Sequence, residues 1–230
     1  RLISGAVLTC LAAANALGDR STLDLNGQWQ IADSRSPEEI PSRFNRTVPV
    51  PGLVNLARPS FPDVDAFFSR EHLANRIRAG LCPADWLTNY WKGKVEQDRD
   101  YFWYRRNFRA PGKREVALLK ISKAQFGTAV WLNGKKLGDY AGCFTASYFH
   151  LEDSIRWNTD NELVIRIGAH PAVLPDTFPT GSDFEKIKWT PGIYDDVSVA
   201  FCDNPVIETV QVAPRIASGE IVIQSRVKNW

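Results

Sequence analysis

The stretch that most constrains the fold is residues 128–140, "TAVWLNGKKLGDY". Asn133-Gly134 separates two extended runs, and both residue types tolerate the positive φ angles that a two-residue hairpin turn demands. A lone hairpin cannot bury an apolar face, so a chain committed to this one needs further antiparallel strands. They are present. "ELVIRIG" puts Leu163, Ile165 and Ile167 on one face, Val164 and Arg166 on the other. In "YFWYRRNFRAPG" Phe102, Tyr104 and Arg106 share a face, Tyr101, Trp103 and Arg105 share the opposite one, and Ala110-Pro111-Gly112 ends the strand. "EVALLKI" follows as another strand. Leu23, Leu25, Trp29 and Ile31 flank a polar turn at Asn26-Gly27, and residues 158–161 form a second polar turn. Val197, Val199 and Phe201 continue Ile193 on every second residue. "VPVPGLVN" holds too much proline for an interior strand and reads as an extended edge or loop. Short strands between turn signals predict a β-sandwich.

One segment breaks the pattern. In "AFFSREHLANRIRAGL" Phe67, Ala74, Ile77 and Leu81 fall near helical spacing, with Arg70, Glu71, Asn75 and Arg78 outside. It lies in a long connection, residues 59–100, of a length that marks an insertion. The sandwich is expected to close near Asn204-Pro205. Residues 205–230 then read as the beginning of a second β domain, with too few strands to cover their own apolar face.

The totals narrow the function classes. Across 230 residues, 44% hydrophobic and 23% charged is globular composition. A net charge of +2 with no basic stripe argues against nucleic acid or acidic membranes as partners. Eight Trp, six Tyr and twelve Phe fit a sandwich core better than a binding platform. The chain begins at Arg1 without Met and continues "LISGAVLTCLAAANAL", which reads as a secretory signal peptide over residues 1–16 with an A-x-A site at Ala14-Asn15-Ala16. Secretion or periplasmic export is therefore expected. Beyond it stand Cys82, Cys143 and Cys202, which leave open one disulfide with one thiol or three buried thiols. Asn45-Arg46-Thr47 is a glycosylation sequon in a eukaryotic host. No G-x-S-x-G, H-E-x-x-H, Walker A or G-x-G-x-x-G occurs, and His72, His150 and His170 lie far apart. Neither a metal nor a cofactor is expected, and no nucleophile–base pair assembles in the sequence.

Read in order, "LNGQW", "VPVPG", "FWYRRNFRAP", "AVWLNGKKLGDYAGCFTASYF", "NELVIRI", "WTPGIYDDVSV" and "PVIETVQVAP" resemble the N-terminal, sugar-binding-type domain of glycoside hydrolase family 2, which includes β-galactosidases, β-glucuronidases and β-mannosidases. The resemblance covers residues 23–214. It implies an all-β jelly-roll sandwich similar to galactose-binding domains over residues 20–204, here with a helical insertion. A truncated immunoglobulin-like sandwich would follow over residues 205–230, and then a (β/α)₈ barrel of about 250 residues. It also implies a retaining mechanism in which one Glu is acid/base and another, ~5–5.5 Å away, is nucleophile. Both would belong to the barrel, so this chain alone is expected to be inactive and to carry no catalytic residue. The intact parent would cleave terminal β-linked sugars.

Each motif also has a bland reading: Asn133-Gly134 turns a hairpin, Arg stems beside aromatics cover apolar surface, Gly192 permits a backbone turn, and Ile193 enters the core. The loop before "GIYDDV" is the family's match for a substrate contact. Asp183, Glu185 and Lys186 would meet sugar hydroxyls there, and the Trp189 indole would stack on a pyranose; alternatively it is an acidic surface loop. A second reading is a stand-alone carbohydrate-binding module with Trp86, Tyr90 and Trp91 as its aromatic platform, unless these tuck the insertion onto the sandwich. A third is a ligand-free structural domain serving contacts in a homo-oligomer.

Overall fold

The computed structural model describes residues 20–62, 64, 74, 77–80, 83–85, 99–169, 173–175, 177–178 and 190–230. Its first strands are β1 (Ser21–Asp24), β2 (Gly27–Ser34), β3 (Arg46–Val50) and β4 (Gly52–Leu53), followed by a single helical turn, Val54–Leu56. After the long connection come β5 (Tyr101–Arg109), β6 (Val116–Ile121), β7 (Ala124–Gln125), β8 (Thr128–Leu132), β9 (Lys135–Tyr140) and β10 (Ser147–His150). β11 (Asp160–Gly168), β12 (Gly192–Ile193), β13 (Val197–Cys202), β14 (Val206–Arg215) and β15 (Glu220–Lys228) complete the order.

Two antiparallel sheets make the sandwich. One is four-stranded, in the order β1-β13-β6-β10, and the other six-stranded, in the order β3-β2-β5-β11-β8-β9. Alternation decides which side chains meet between them. Ala117, Leu119 and Ile121 of β6, with Val197, Val199 and Phe201 of β13, face Trp29 and Ile31 of β2, Phe102 and Tyr104 of β5, and Leu163, Ile165 and Ile167 of β11, all in one buried cluster. Each such side chain removed from water contributes about 1.5–3 kcal/mol before ordering costs are set against it. β3, which contains Pro49, is the edge of its sheet, where a residue without an N–H is tolerated. The β8–β9 turn has φ of 52° at Asn133 and 84° at Gly134, the left-handed pair expected from the sequence.

The six-stranded sheet buries its outer face too. Trp103, Ala129, Trp131 and Val164 form a second cluster there, covered by Ile40 and Phe44 from the β2–β3 connection. Trp103 Nε1 donates to Ser34 Oγ at 2.8 Å, the Arg105 guanidinium lies 4.1 Å from the Phe44 ring centre, and Glu38 pairs with Lys136 at 2.8 Å. The Arg residues of "YRRNF" thus cover apolar surface, as the sequence implies; Arg106 lies over Trp29 in the same manner.

At the start of β11, Asn161 is almost wholly buried, and its amide holds a turn together. It accepts from the Arg156 N–H at 2.7 Å and from Asn133 Nδ2 at 2.8 Å, and donates to the Arg156 and Thr159 carbonyls. Asn133 in turn accepts from the Glu162 N–H at 3.1 Å. The "WLNG" and "NELVIRI" motifs are therefore joined directly. Both amide atoms of the buried Asn161 side chain, and both of the half-buried Asn133, are matched, which is the condition for burying amides without penalty.

Within the expected helix, the described positions Ala74, Ile77 and Arg78 are helical, and Ile77 packs against the main core while Arg78 is exposed. Phe67 and Leu81 lie outside the described residues. Cys143 and Cys202 are buried, and burial pushes the Cys202 thiol up from its ordinary value; Cys82 is outside the described residues. β14 and β15 form a separate two-stranded hairpin. Register places Val210, Val212 and Pro214 with Ile223 and Ile221 on one face, and Gln211, Ala213 and Arg215 with Gln224, Val222 and Glu220 on the other. The first face stays largely exposed.

Candidate functional site

Three two-residue strands build one end of the sandwich: β12 lies between β4 and β7. The pairing is close. A Cβ on Gly192 would sit 2.5 Å from the Gly52 carbonyl oxygen and 2.6 Å from Leu53 Cα. Gly192 is therefore required by the approach of a neighbouring backbone. The sequence reading gave it a turn role instead; its φ is not in the left-handed region, and crowding across the β4–β12 pair is the physical reason for glycine.

The residues after it fasten this end. Asp196 Oδ1 accepts from Asn26 Nδ2 at 2.8 Å, and the Val197 N–H donates to Asn26 Oδ1 at 3.0 Å, so "LNGQW" and "GIYDDV" interlock. Asp195 pairs with Lys123 at 3.0 Å. The Asp196 N–H first, and then Lys123, hold the Asp195 carboxyl below its usual range. The Tyr194 hydroxyl donates to the Cys143 carbonyl, and burial pushes this phenol up, with Cys143 and Asp195 adding to the shift. Gln125 Nε2 donates to the Thr190 carbonyl. Outside the three short strands lies an open depression of about 480 Å³, lined among the described residues by Leu53, Lys123, Gln125, Phe144 and Tyr194. Phe144 is 46% exposed within it.

The long connections depart from the same end. Arg99, nearly buried, donates to Pro62 O at 3.2 Å and to Asp33 Oδ2 at 2.9 Å, closing a neck between the two flanks of the insertion. The Phe61 ring centre lies 5.5 Å from this guanidinium. The Ala169 N–H bonds to Asp100 O at 2.7 Å, and the Gly168 N–H to Phe126 O at 2.6 Å, so the segment after β11 starts beside that neck. Arg99 has one signal in the sequence, a charged residue at the junction of a polar stretch with a β run. Phe144 has none, since "GCFTAS" shows no periodicity.

Asp183, Glu185, Lys186 and Trp189 lie outside the described residues, as do Trp86, Tyr90 and Trp91. The described flanks, Thr190 and Arg99, stand at the end just built. Among the described residues no group of three or more His, Cys, Asp or Glu gathers as a metal site, and no helix is long and apolar enough to cross a membrane.

Solved structures share this architecture. A calcium-binding mutant of Bacteroides uniformis β-glucuronidase 2 matches 92% of this chain and 23% of its own, with TM-score 0.60 and 18% identity. Faecalibacterium prausnitzii β-glucuronidase matches 91% of this chain and 36% of its own, with TM-score 0.59 and 16% identity. Dictyoglomus thermophilum β-D-mannosidase matches 85% and 24%, with TM-score 0.54 and 20% identity. This is a fold that glycosidases contain. At these identities the likeness establishes architecture, and the chain spans between 20% and 36% of the length of such enzymes. No protein-family model matches the chain, and no curated protein sequence does.

Proposed function

We propose that this chain is the N-terminal, sugar-binding-type sandwich of a secreted, retaining glycoside hydrolase of family 2, whose intact form hydrolyses terminal β-linked sugars. The observation that carries the reading is the shared fold: nearly the whole of this chain corresponds to a minor share of three glycosidases. The interlocked motifs support it, because Asn26 with Asp196 and Asn133 with Asn161 tie together the residues on which the family resemblance rests. The chemistry belongs to a barrel elsewhere in the parent, where two Glu perform acid/base and nucleophilic work. This chain takes no bond-breaking step. Residues 183–189 contribute polar contacts and an indole face at the mouth of that barrel. Residues 205–230 supply the first strands of an immunoglobulin-like domain, which accounts for a hairpin with Val210, Val212, Ile221 and Ile223 exposed on one face. Residues 1–16 direct export.

The test is the coding sequence that follows codon 230, with expression of the full product. A barrel carrying a Glu at each of two strand ends, and hydrolysis of aryl β-glycosides lost on Glu→Gln substitution of either, supports the proposal. A stop codon with no barrel sinks it.

A further inference from the structure

The β14–β15 hairpin pairs with no strand of the sandwich among the described residues. It leaves β13 through Asp203-Asn204-Pro205, which gives it one point of attachment. A second point lies on the far strand. Residue 204 stands opposite residue 230, two residues beyond the Val206–Lys228 pair in register. Pro205, next to it, has no N–H with which to extend the ladder. The Asn204 side chain takes over the rung. Its Nδ2 donates to the Trp230 carbonyl at 3.2 Å, and its Oδ1 accepts from the Trp230 N–H at 3.0 Å. A carboxamide carries the same donor and acceptor as a peptide unit, so it can stand in for one.

Asn204 is itself fixed to the sandwich. Its N–H donates to Glu115 Oε2 at 2.9 Å, and its neighbour Asp203 is held by the Glu115 N–H and by Arg114. The rung delivers the Trp230 indole to His150, the last residue of β10, with ring centres 4.2 Å apart and planes tilted by 56°. Glu152 aims the His150 ring: its Oε1 lies 3.3 Å from Nδ1 and also accepts from the Ala117 N–H at 2.8 Å. On the hairpin side, Lys228 Nζ lies 4.4 Å from the centre of the same indole while paired with Glu208 at 2.5 Å. Sandwich and hairpin thus each bring a charged side chain to bear on the joint.

We propose that Asn204, Trp230 and His150 form a clasp that locks the hairpin in one orientation on the sandwich, and that breaking any member of it sets the hairpin swinging about Pro205. A chain link alone leaves a hairpin free to turn about its bonds. A rung to the second strand opposes that turning, and a ring stacked on a ring opposes tilting away from the sheet. The members act as a unit: Asn204 bonds to Trp230 and not to His150, yet it places the indole that His150 meets. Two exposed hydrogen bonds and one aromatic contact, set against the freedom lost, favour the closed form by about 30-fold. Val210, Val212, Ile221 and Ile223 take no part in these contacts, so the clasp holds their face in a constant direction. The clasp goes beyond the parent-enzyme reading. Where that reading holds, it sets the direction in which the second domain leaves the sandwich; its test uses these 230 residues alone, so the two stand or fall separately.

Nuclear magnetic resonance on the 230-residue chain tests it. Residual dipolar couplings of β14 and β15 fit the alignment tensor of β5 and β11, and the His150 ring protons are shifted upfield by the indole. Asn204→Ala removes the rung without touching either ring. It lowers the closed-to-open ratio about tenfold, so the upfield shift falls by about a quarter or more and the hairpin couplings shrink. Trp230→Ala abolishes the shift, and Trp230→Phe keeps a reduced one. His150→Ala shrinks the hairpin couplings although the rung remains. Ile216→Ser, at the exposed hairpin tip, changes neither readout. Unaltered resonances in β5 and β11 show that the sandwich is folded in each variant. The proposal is overturned by hairpin couplings that need a separate tensor in the unaltered chain, by a full upfield shift in folded Asn204→Ala, or by full-sized hairpin couplings in folded His150→Ala.

Discussion

Gly192→Ala tests the claim that backbone crowding fixes the three-strand end. The added carbon would meet a carbonyl oxygen at 2.5 Å and a Cα at 2.6 Å. Ordinary carbon–oxygen contacts lie near ~3.3–3.6 Å and carbon–carbon contacts near ~3.5–4.0 Å. Both obstacles are main chain, so β12 must part from β4 by roughly 1 Å. That movement stretches the Gly192–Leu53 pairing and the bond from the Val54 N–H to Pro191 O, now 2.9 Å. Two hydrogen bonds weakened at ~1 kcal/mol each, with overpacking of ~1–3 kcal/mol, give a loss of about 3–5 kcal/mol. For a chain of this size that corresponds to a Tm lowered by roughly 10 °C. Urea unfolding followed by tryptophan fluorescence measures it. Gly134→Ala is the control: φ is 84° there but no atom lies within 4 Å of the added carbon, so only the left-handed backbone opposes it, at about 1 kcal/mol. The crowding argument fails if Gly192→Ala stays within about 0.5 kcal/mol of the parent sequence or costs less than Gly134→Ala.

Other outcomes follow from particular contacts. Asn26→Ala removes two hydrogen bonds and should cost about 1–2 kcal/mol; a cycle with Asp196→Ala should show coupling of at least ~0.5 kcal/mol, measured by urea midpoints. Tyr104→Phe should be neutral or stabilising by a few tenths of a kcal/mol, since the buried hydroxyl oxygen has no hydrogen-bond partner among the described residues, although the Ile193 backbone beside it counters part of the burial that pushes this phenol up. Asp203 caps the Glu115 N–H at 3.0 Å and pairs with Arg114 at 2.7 Å, which together depress its carboxyl. Its contribution is complete above the unfolded value near ~3.9 and is lost as pH falls through the depressed folded value, so Asp203→Asn should flatten the acid limb of stability against pH. Limited proteolysis should cut first around Ile216, 93% exposed at the tip of the β14–β15 hairpin, and leave the sandwich whole; equal resistance along the chain would contradict this.

What could be seen in the sequence was what depends on neighbours within one strand or turn. Leu163, Ile165 and Ile167, and Val197, Val199 and Phe201, point inward as their alternation requires, and Asn133-Gly134 makes its hairpin. The unseen part depends on which strands meet. Gly192 crowds Gly52 only because β12 pairs with β4, some 140 residues earlier. Asn161 becomes a hub because β11 lies beside β8, and Arg99 because Pro62 and Asp33 converge on it. The outer cluster of Trp103 and Trp131 needs Phe44 and Ile40 folded over it, a pairing that no local period announces. The Cys143 carbonyl is held by the Tyr194 hydroxyl, 51 residues on.

The neck formed by Arg99, Pro62 and Asp33 has an evolutionary consequence. A segment that leaves and re-enters at one bonded point can change length at little thermodynamic cost, ~0.6 kcal/mol for each doubling by loop-closure entropy. The segment after β11 starts beside the same point, tied there by Ala169. Lineages can therefore lengthen or shorten the first connection outside its packed residues, Val64 and Ile77, while the two sheets are inherited unaltered, and an engineer can graft new recognition loops at this end by the same route.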